Sequence, residues 1–231
     1  KFVGLFSYID GAEIRNLRLT GSLMFVSADG YTGGLIGYAT NSQISNIINT
    51  GSIQGTNDFI GGLVGYSTSS EISNSLNTGS VQGNSNIGGL VGYLSDSRIN
   101  NALNTGPVQG TGSLGGVVGR SLASSQISNS LSTGRVQGSS LYVGGLGGLI
   151  YDVISSNNYW ATDASNQSSG GQESEARSYI GLTLATLQCA IQANTTSDNS
   201  DCVSNDGSTE GLTAAATLFN DWDLATADGQ A

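Results

Sequence analysis

The 231-residue chain contains no histidine, and this absence excludes several kinds of catalytic site. Ser-His-Asp and Cys-His catalysis and the His-Glu-x-x-His zinc site each require an imidazole. Charged residues make up only 10% of the chain. The carboxylates within its repeats, such as Asp58, Glu71 and Asp96, occupy positions that are not equivalent. A polysaccharide-active enzyme needs acids or bases paired on one strand face. We therefore expect no enzymatic activity, no catalytic residue and no cofactor.

Basic residues are also scarce, since seven Lys and Arg stand against 17 Asp and Glu and give a net charge of −10. Nucleic-acid binding needs clustered cations, and an anionic membrane surface repels a chain of this sign. Long apolar runs are missing as well, because none reaches the roughly 20 residues that span a bilayer. The sequence therefore predicts neither a nucleic-acid partner nor direct insertion into a membrane.

Only two cysteines are present, Cys189 and Cys202, and they lie 13 residues apart. This spacing allows a disulfide in an oxidising, extracellular compartment, with two free thiols as the alternative. Eleven of the 17 acidic residues lie from Asp152 onward, without EF-hand or Gly-Gly-x-Gly-x-Asp spacing. We interpret the segment as a solvated acidic cap and predict no metal site there, with calcium binding as the alternative. The sequence starts at Lys1 with no recognisable signal peptide, so we expect it to be a fragment of a larger chain.

A glycine-rich block recurs five times at intervals of 27 to 29 residues. The block has the form Gly-Gly-Leu-Val-Gly-Tyr, and its copies lie at 33–38, 61–66, 88–93, 115–120 and 144–149. A period of that size predicts stacked units that cover each other's apolar faces. It is too short for a propeller blade, which needs about 40 to 50 residues.

Four of the units also contain two further strand-like segments, of the forms Ile-Ser-Asn-x-Leu-Asn-Thr-Gly and Val-Gln-Gly, at a constant separation. The sequence therefore predicts an all-β fold: a right-handed parallel β-helix, or β-solenoid, with about six turns and a mixed, partly helical C-terminal cap. The predicted ranges are a degenerate first turn at 1–32, repeats near 33–60, 61–87, 88–114, 115–143 and 144–160, and the cap at 161–231. Within the cap we expect a helix from Thr183 to Gln192 and a core that includes Trp160, Phe219 and Trp222.

One asparagine recurs at the centre of the longer segment, at Asn46, Asn74, Asn101 and Asn129. Side chains alternate with period two along a strand, which would place Ile72, Asn74 and Leu76 on one inward face. We therefore predict a buried, structural Asn ladder, in which each amide bonds the turns above and below it. The orientation of the glycine block stays open, because its adjacent Leu63 and Val64 are both apolar.

The Gly-Gly-Leu-Val-Gly core, followed by a strand rich in Ser, Thr and Asn, resembles the GLUG repeat of large bacterial surface proteins. The resemblance covers about residues 31–159, with a divergent fifth copy in which Gly147 and Leu149 replace the usual Val and Tyr. Similar repeats occur in adhesins and in some immunoglobulin A peptidases, and a peptidase is not expected here because histidine is absent. The resemblance implies an extracellular protein, secreted or at the bacterial cell surface, that takes part in cell adhesion or biofilm.

We interpret the chain as a non-catalytic adhesin module, a rigid spacer with a contact surface for a glycan or protein of a host or environmental surface. The main alternative is a carbohydrate-binding module, whose ligand contacts the aromatic column of Tyr38, Tyr66 and Tyr93. A polysaccharide-active enzyme lacks a carboxylate pair. Ice binding lacks a second outward threonine row beside the single row of Thr50, Thr78, Thr105 and Thr133.

Overall fold

The computed structural model describes residues 1–21, 23–24, 30–56, 58–122, 124–173 and 179–183, and they form a solenoid of short parallel strands. The predicted all-β fold class is therefore confirmed. The cysteines Cys189 and Cys202, the aromatic residues Phe219 and Trp222, and the predicted helix beyond Thr183 lie outside the described residues.

Each turn of the solenoid adds strands to the same set of sheets. The first two turns contain β1 (Phe2–Val3), β2 (Phe6–Asp10), β3 (Glu13–Leu19), β4 (Leu23–Met24), β5 (Tyr31–Gly33), β6 (Ile36–Thr40), β7 (Gln43–Asn49) and β8 (Ile53–Gln54). The next two contain β9 (Phe59–Gly61), β10 (Val64–Thr68), β11 (Glu71–Asn77), β12 (Val81–Gln82), β13 (Ile87–Gly88), β14 (Val91–Ser95), β15 (Arg98–Asn104) and β16 (Val108–Gly110).

The fifth and sixth turns split the long strand in two, and a short C-terminal part follows them. The fifth turn contains β17 (Leu114–Gly115), β18 (Val118–Leu122), β19 (Ser125–Ser128), β20 (Leu131–Ser132) and β21 (Val136–Gly138). The sixth contains β22 (Val143–Gly144), β23 (Gly147–Ile150), β24 (Val153–Ser156) and β25 (Asn158–Ala161), and after it come α1 (Thr162–Ser165), β26 (Gln172–Glu173) and β27 (Tyr179–Leu182).

Four parallel sheets result, because each strand pairs with its counterpart in the next turn. Sheet A is β1-β5-β9-β13-β17-β22, and sheet B is β2-β6-β10-β14-β18-β23-β26. Sheet C runs from β3 through β7, β11 and β15 to the split strands, and sheet D is β4-β8-β12-β16-β21. Among the described residues, sheet D has five strands and sheet A has six, so five turns are complete and a sixth is begun.

Two hydrophobic cores run side by side along the solenoid. The larger lies between sheets B and C and includes Val64 and Ile72, while the smaller lies between sheets A and D and includes Ile60 and Val81. The register keeps these rows aligned, since Val64 pairs with Ile36 in the preceding turn and with Val91 in the following one. Each turn therefore covers the apolar residues of its neighbour, as the repeat predicts.

The glycine block places both of its apolar residues in the core. Leu63 lies in the bend between β9 and β10, Val64 begins β10, and both are fully buried. Glycine is required in the bend because the backbones approach too closely for a side chain. A Cβ on Gly61 would overlap the carbonyl oxygens of Val64 and Leu90.

The prediction of which face of the sheet C strands points inward is wrong. The central asparagine of each strand has a left-handed backbone conformation. Its φ is 54° at Asn46, 47° at Asn74, 56° at Asn101 and 50° at Asn129. This residue interrupts the two-residue alternation, so that Ile72, Ser75 and Asn77 face the core. Asn74 is exposed instead. Asn101 Nδ2 does donate to Asn74 Oδ1 at 2.7 Å, but this hydrogen bond lies on the outer surface of the solenoid.

The buried asparagine ladder lies three residues further along, at Asn49, Asn77 and Asn104, whose side chains are inaccessible to solvent. Asn49 Nδ2 donates to Asn77 Oδ1 at 2.8 Å, and Asn77 Nδ2 donates to Asn104 Oδ1 at 2.9 Å. Asn77 Nδ2 also donates to the carbonyl of Gly79 at 2.8 Å. These bonds offset the cost of burying an amide between the two cores.

Trp160 ends this ladder at the C-terminal end of the solenoid. It pairs in register with Ser132, which in turn pairs with Asn104. The indole is buried against Gly145, where a Cβ would overlap the ring, and its Nε1 donates to the carbonyl of Gln167 at 3.2 Å. Trp160 is therefore buried at this end of the solenoid, and the predicted cap core that it would share with Phe219 and Trp222 stays a prediction.

The chain divides into two compact units, Lys1–Gly181 and Leu182–Ala231. The first contains the solenoid together with α1 and β26. Of the second, only Leu182 and Thr183 are among the described residues, and the predicted boundary at residue 160 stays a prediction. Across the described ranges, no helix is long and apolar enough to cross a membrane.

Candidate functional site

The predicted contact residues Tyr38, Tyr66 and Tyr93 form one column on the outer face of sheet B, and Tyr8 extends it. Ring centroids lie 5.5 Å apart for Tyr8 and Tyr38, 5.1 Å for Tyr38 and Tyr66, and 4.7 Å for Tyr66 and Tyr93. The corresponding interplanar angles are 8°, 25° and 11°, so the rings are stacked. The guanidinium carbon of Arg120 follows, 5.7 Å from the Tyr93 centroid.

A second column, Phe2, Tyr31 and Phe59, lies beside the first on sheet A. Tyr31 lies 4.8 Å from Tyr66, and Phe59 lies 5.5 Å from Tyr93, measured between ring centroids. We call the seven rings of both columns the aromatic wall. Tyr8 and the whole second column were not predicted from the sequence. The available signal was an aromatic residue two positions before the glycine that opens the bend in each of the first three turns, as in Tyr31 before Gly33.

Stacking covers the ring faces within the tyrosine column. Tyr38 and Tyr66 are each stacked on both sides by other tyrosines, and Tyr93 lies between Tyr66 and Arg120. A sugar ring that binds by stacking needs an open aromatic face. The column instead presents ring edges and hydroxyl groups. Ligand contact by these three tyrosines stays a prediction, and the geometry favours hydrogen bonding over stacking.

Crowding in the column also affects ionisation of its hydroxyl groups. Burial, and then the neighbouring charges of Tyr93 and Tyr38, raise the pKa of Tyr66 to about 12. Burial likewise raises the pKa of Tyr38. The negative charge of Asp96 makes a further, smaller contribution to the raised pKa of Tyr66.

A polar groove of about 290 Å³ follows the corner between sheets B and C, and we call it the corner groove. One wall consists of the left-handed residues after successive sheet B strands: Asn41, Ser69, Asp96 and Ser124. The other wall consists of one register position near the start of successive sheet C strands: Gln43, Glu71, Arg98 and Gln126. The groove therefore repeats once per turn and runs across several turns.

Buried serines form the floor of the corner groove. The Ser70 hydroxyl donates to the carbonyl of Thr68 at 2.9 Å and accepts from the backbone N–H of Ser42 at 3.0 Å. The Ser97 hydroxyl repeats the pattern, since it donates to the carbonyl of Ser95 at 2.8 Å and accepts from the N–H of Ser70 at 3.1 Å. Because each hydroxyl joins two turns, the floor holds the walls in fixed positions.

The charged side chains of the groove are held only loosely by one another. The Arg98 guanidinium lies 4.0 Å from Glu71 Oε2, and Arg98 Nε donates to Gln126 Oε1 at 2.9 Å. The Arg98 and Glu71 side chains remain 51% and 42% exposed, so both can still contact a ligand. Asp96 is exposed, and its Oδ2 accepts from the Ser95 hydroxyl at 3.0 Å.

The carboxylates of the repeats occupy non-equivalent positions, as the sequence indicates, yet two of them lie in one groove. Glu71 and Asp96 line the same groove, although they occupy different positions within their repeats. Asp58 lies elsewhere and accepts from Asn84 Nδ2 at 3.0 Å. Within the part of the chain that the structure describes, no group of three or more His, Cys, Asp or Glu could hold a metal ion.

In the threonine row considered for ice binding, the hydroxyls of Thr50 and Thr78 bond the preceding turn. Thr50 and Thr78 are exposed, but the Thr50 hydroxyl donates to the carbonyl of Leu19 at 3.0 Å and that of Thr78 to the carbonyl of Asn49 at 3.4 Å. These hydroxyl hydrogens are therefore used within the solenoid, which disfavours ordered binding of ice.

Comparison with solved structures finds a similar chain described as IgA1 Protease, with a TM-score of 0.52 and 17% sequence identity over 75% of this chain. At that identity the likeness shows the fold alone, and the match spans 18% of the length of that protein. A comparison with curated proteins finds no match. The family model described as the GLUG motif matches residues 28–54. These residues include the glycine bend before β6 and the left-handed Asn46 of β7, so the structural unit of this solenoid contains a GLUG motif.

Proposed function

We propose that this chain is a non-catalytic adhesion module, in which a rigid β-solenoid displays contact surfaces outside the bacterial cell. The observation that carries the proposal is the unbroken register of four parallel sheets through five complete turns. Side chains at equivalent positions are thereby stacked into straight rows on the outside of the solenoid. A repeated exterior of this kind suits attachment better than it suits a single reaction centre.

Rigidity follows from the hydrogen bonds between turns. Backbone strands, the inner amides of Asn49, Asn77 and Asn104, and the serines of the groove floor all bond the turn above or below. Within a row, equivalent side chains follow one another every ~4.8 Å and present the same contact several times. Weak contacts then add through avidity. Such a module transmits force and holds a partner without changing shape.

Two comparisons support a location outside the cell. The GLUG motif at residues 28–54 is typical of surface proteins, and the fold is shared with a chain described as IgA1 Protease. The partner we propose is a glycan or protein on a host or environmental surface. Nucleic acid is disfavoured by the net charge of −10.

The non-catalytic character is part of the proposal. The chain has no histidine, which excludes catalysis that depends on an imidazole. Carbohydrate binding is the second candidate function, favoured by the polar lining of the corner groove.

Retention of coated beads under flow tests the adhesion role. Beads carrying the 231-residue chain at two densities pass over epithelial cell layers, cellulose, chitin and glass. We expect retention on at least one surface, rising more steeply than in proportion to density because the contacts are multivalent. Albumin-coated beads are the control. Retention equal to theirs on every surface would contradict a contact role, and release of peptides or reducing sugars would contradict a non-catalytic one.

A further inference from the structure

We propose that the corner groove is the binding site for a neutral glycan chain lying along the solenoid axis. The proposal rests on the adhesion role above and names its ligand class. It starts from the shape of the site, because the groove of about 290 Å³ is open along the corner and lined by side chains from successive turns. An extended ligand can therefore meet equivalent positions turn after turn.

Within residues 61–143, the charged side chains are concentrated in this groove. Residues 61–143 contain five charged side chains: Glu71, Asp96, Arg98, Arg120 and Arg135. Three of these five line the corner groove. At the register positions of Glu71 and Arg98, the neighbouring turns carry Gln43 and Gln126. The solenoid forms with an uncharged amide at this position, so the charges there are not needed for folding.

The chemistry of the walls suits vicinal hydroxyl groups. Carboxylates of Glu71 and Asp96 accept two hydrogen bonds each from a diol, the Arg98 guanidinium donates, and Asn and Gln amides do both. None of the described residues that line the groove is apolar, so an apolar ligand or a peptide with large apolar side chains gains little there. Two carboxylates against one guanidinium leave a negative balance, which disfavours anionic polysaccharides.

The rigidity of the groove favours binding of a flexible chain. The floor serines are fixed by bonds to two turns, so the walls lose little conformational freedom when a ligand is bound. Adjacent equivalent positions are ~4.8 Å apart along the axis, close to the length of one pyranose unit in an extended chain. Successive sugar units can therefore occupy successive turns.

The test is titration of the 231-residue chain with five neutral hexasaccharides, derived from cellulose, chitin, xylan, mannan and laminarin. Binding is followed by calorimetry and by amide chemical shifts. The test variant is Glu71→Gln with Arg98→Gln, which restores the amides of neighbouring turns and keeps the net charge. The control variant is Asp58→Asn with Arg135→Gln, which removes one charge of each sign from exposed positions outside the groove.

We expect at least one hexasaccharide to bind and to shift the amides of Ser69, Ser70 and Ser97. The groove variant should bind at least about tenfold more weakly, as expected when hydrogen bonds to charged groups are lost, and the control variant should bind unchanged. Unfolding in urea must be the same for all three proteins. Absence of binding, equal loss in both variants, or tighter binding of a hyaluronan hexasaccharide would overturn the inference. Bead retention without oligosaccharide binding would leave the adhesion role intact.

Discussion

The left-handed asparagine in each long strand determines which neighbouring side chains reach the core. Asn74 has a φ of 47°, a value that Asn tolerates better than most residues other than glycine. Without it, period-two alternation would bury Asn74 and Leu76 and expose Asn77. With it, Asn77 is fully buried and Asn74 is exposed. Two asparagines three residues apart therefore have opposite structural roles.

Substitution of these two asparagines should affect stability very differently. Asn77→Ala removes the donor to Asn104 Oδ1 and the acceptor of Asn49 Nδ2 in the buried ladder. We expect it to lower the free energy of unfolding by about 1–3 kcal/mol. Asn74→Gly keeps a residue that tolerates positive φ, and it should cost less than about 1 kcal/mol. Urea unfolding followed by circular dichroism measures both, and equal losses would contradict the assignment of the inner ladder.

The tyrosine column is built from successive strands of sheet B. Its packing should raise the pH at which the Tyr66 hydroxyl ionises. Burial and the neighbouring tyrosines raise the pKa of Tyr66 from 10.0 to about 12. The folded protein therefore favours the neutral phenol. This contribution to stability is complete below pH 10 and is lost as pH rises towards 12, since the unfolded chain ionises first.

Ultraviolet absorbance of the tyrosinate form measures this effect. We expect one ionisation near pH 12 in the folded chain that is missing in Tyr66→Phe. Tyr142→Phe is the matched control, since that ring is 41% exposed and its loss should leave the late ionisation in place. A Tyr66 ionisation indistinguishable from that of free tyrosine would show that the rings are not stacked in solution.

The strands and their order could be predicted from the sequence, whereas the arrangement of the candidate site could not. Glycine spacing and β-branched residues indicate parallel strands in register, because the same offsets return in each repeat. Which side chains face inward depends on the positive φ of Asn46 and Asn74. The alternation of side chains along a strand does not predict this angle. The corner groove has no motif, because its walls differ from turn to turn and join residues that lie 25 or more positions apart, such as Glu71 and Asp96.

The solenoid as a whole is built from units that contact only their neighbours, so its length should be adjustable in whole turns. Deletion of residues 61–87 joins Ile60 to Gly88, which occupies the register position of Gly61. Tyr38 would then stack on Tyr93, and Asn49 would bond Asn104. Every row that holds the turns together is thus restored across the junction.

We expect the shortened chain to fold with an unchanged far-ultraviolet circular dichroism spectrum per residue. In solution X-ray scattering, the solenoid should be shorter by ~4.8 Å, the distance between neighbouring strands. Deletion of residues 61–74 is the matched control, because it joins Ile60 to Ser75 and places a sheet C residue where the glycine bend belongs. That variant should fail to fold cooperatively. Equal behaviour of the two deletions would mean that the register between turns does not hold the molecule together, and the proposed rigid adhesion module would lose its structural basis.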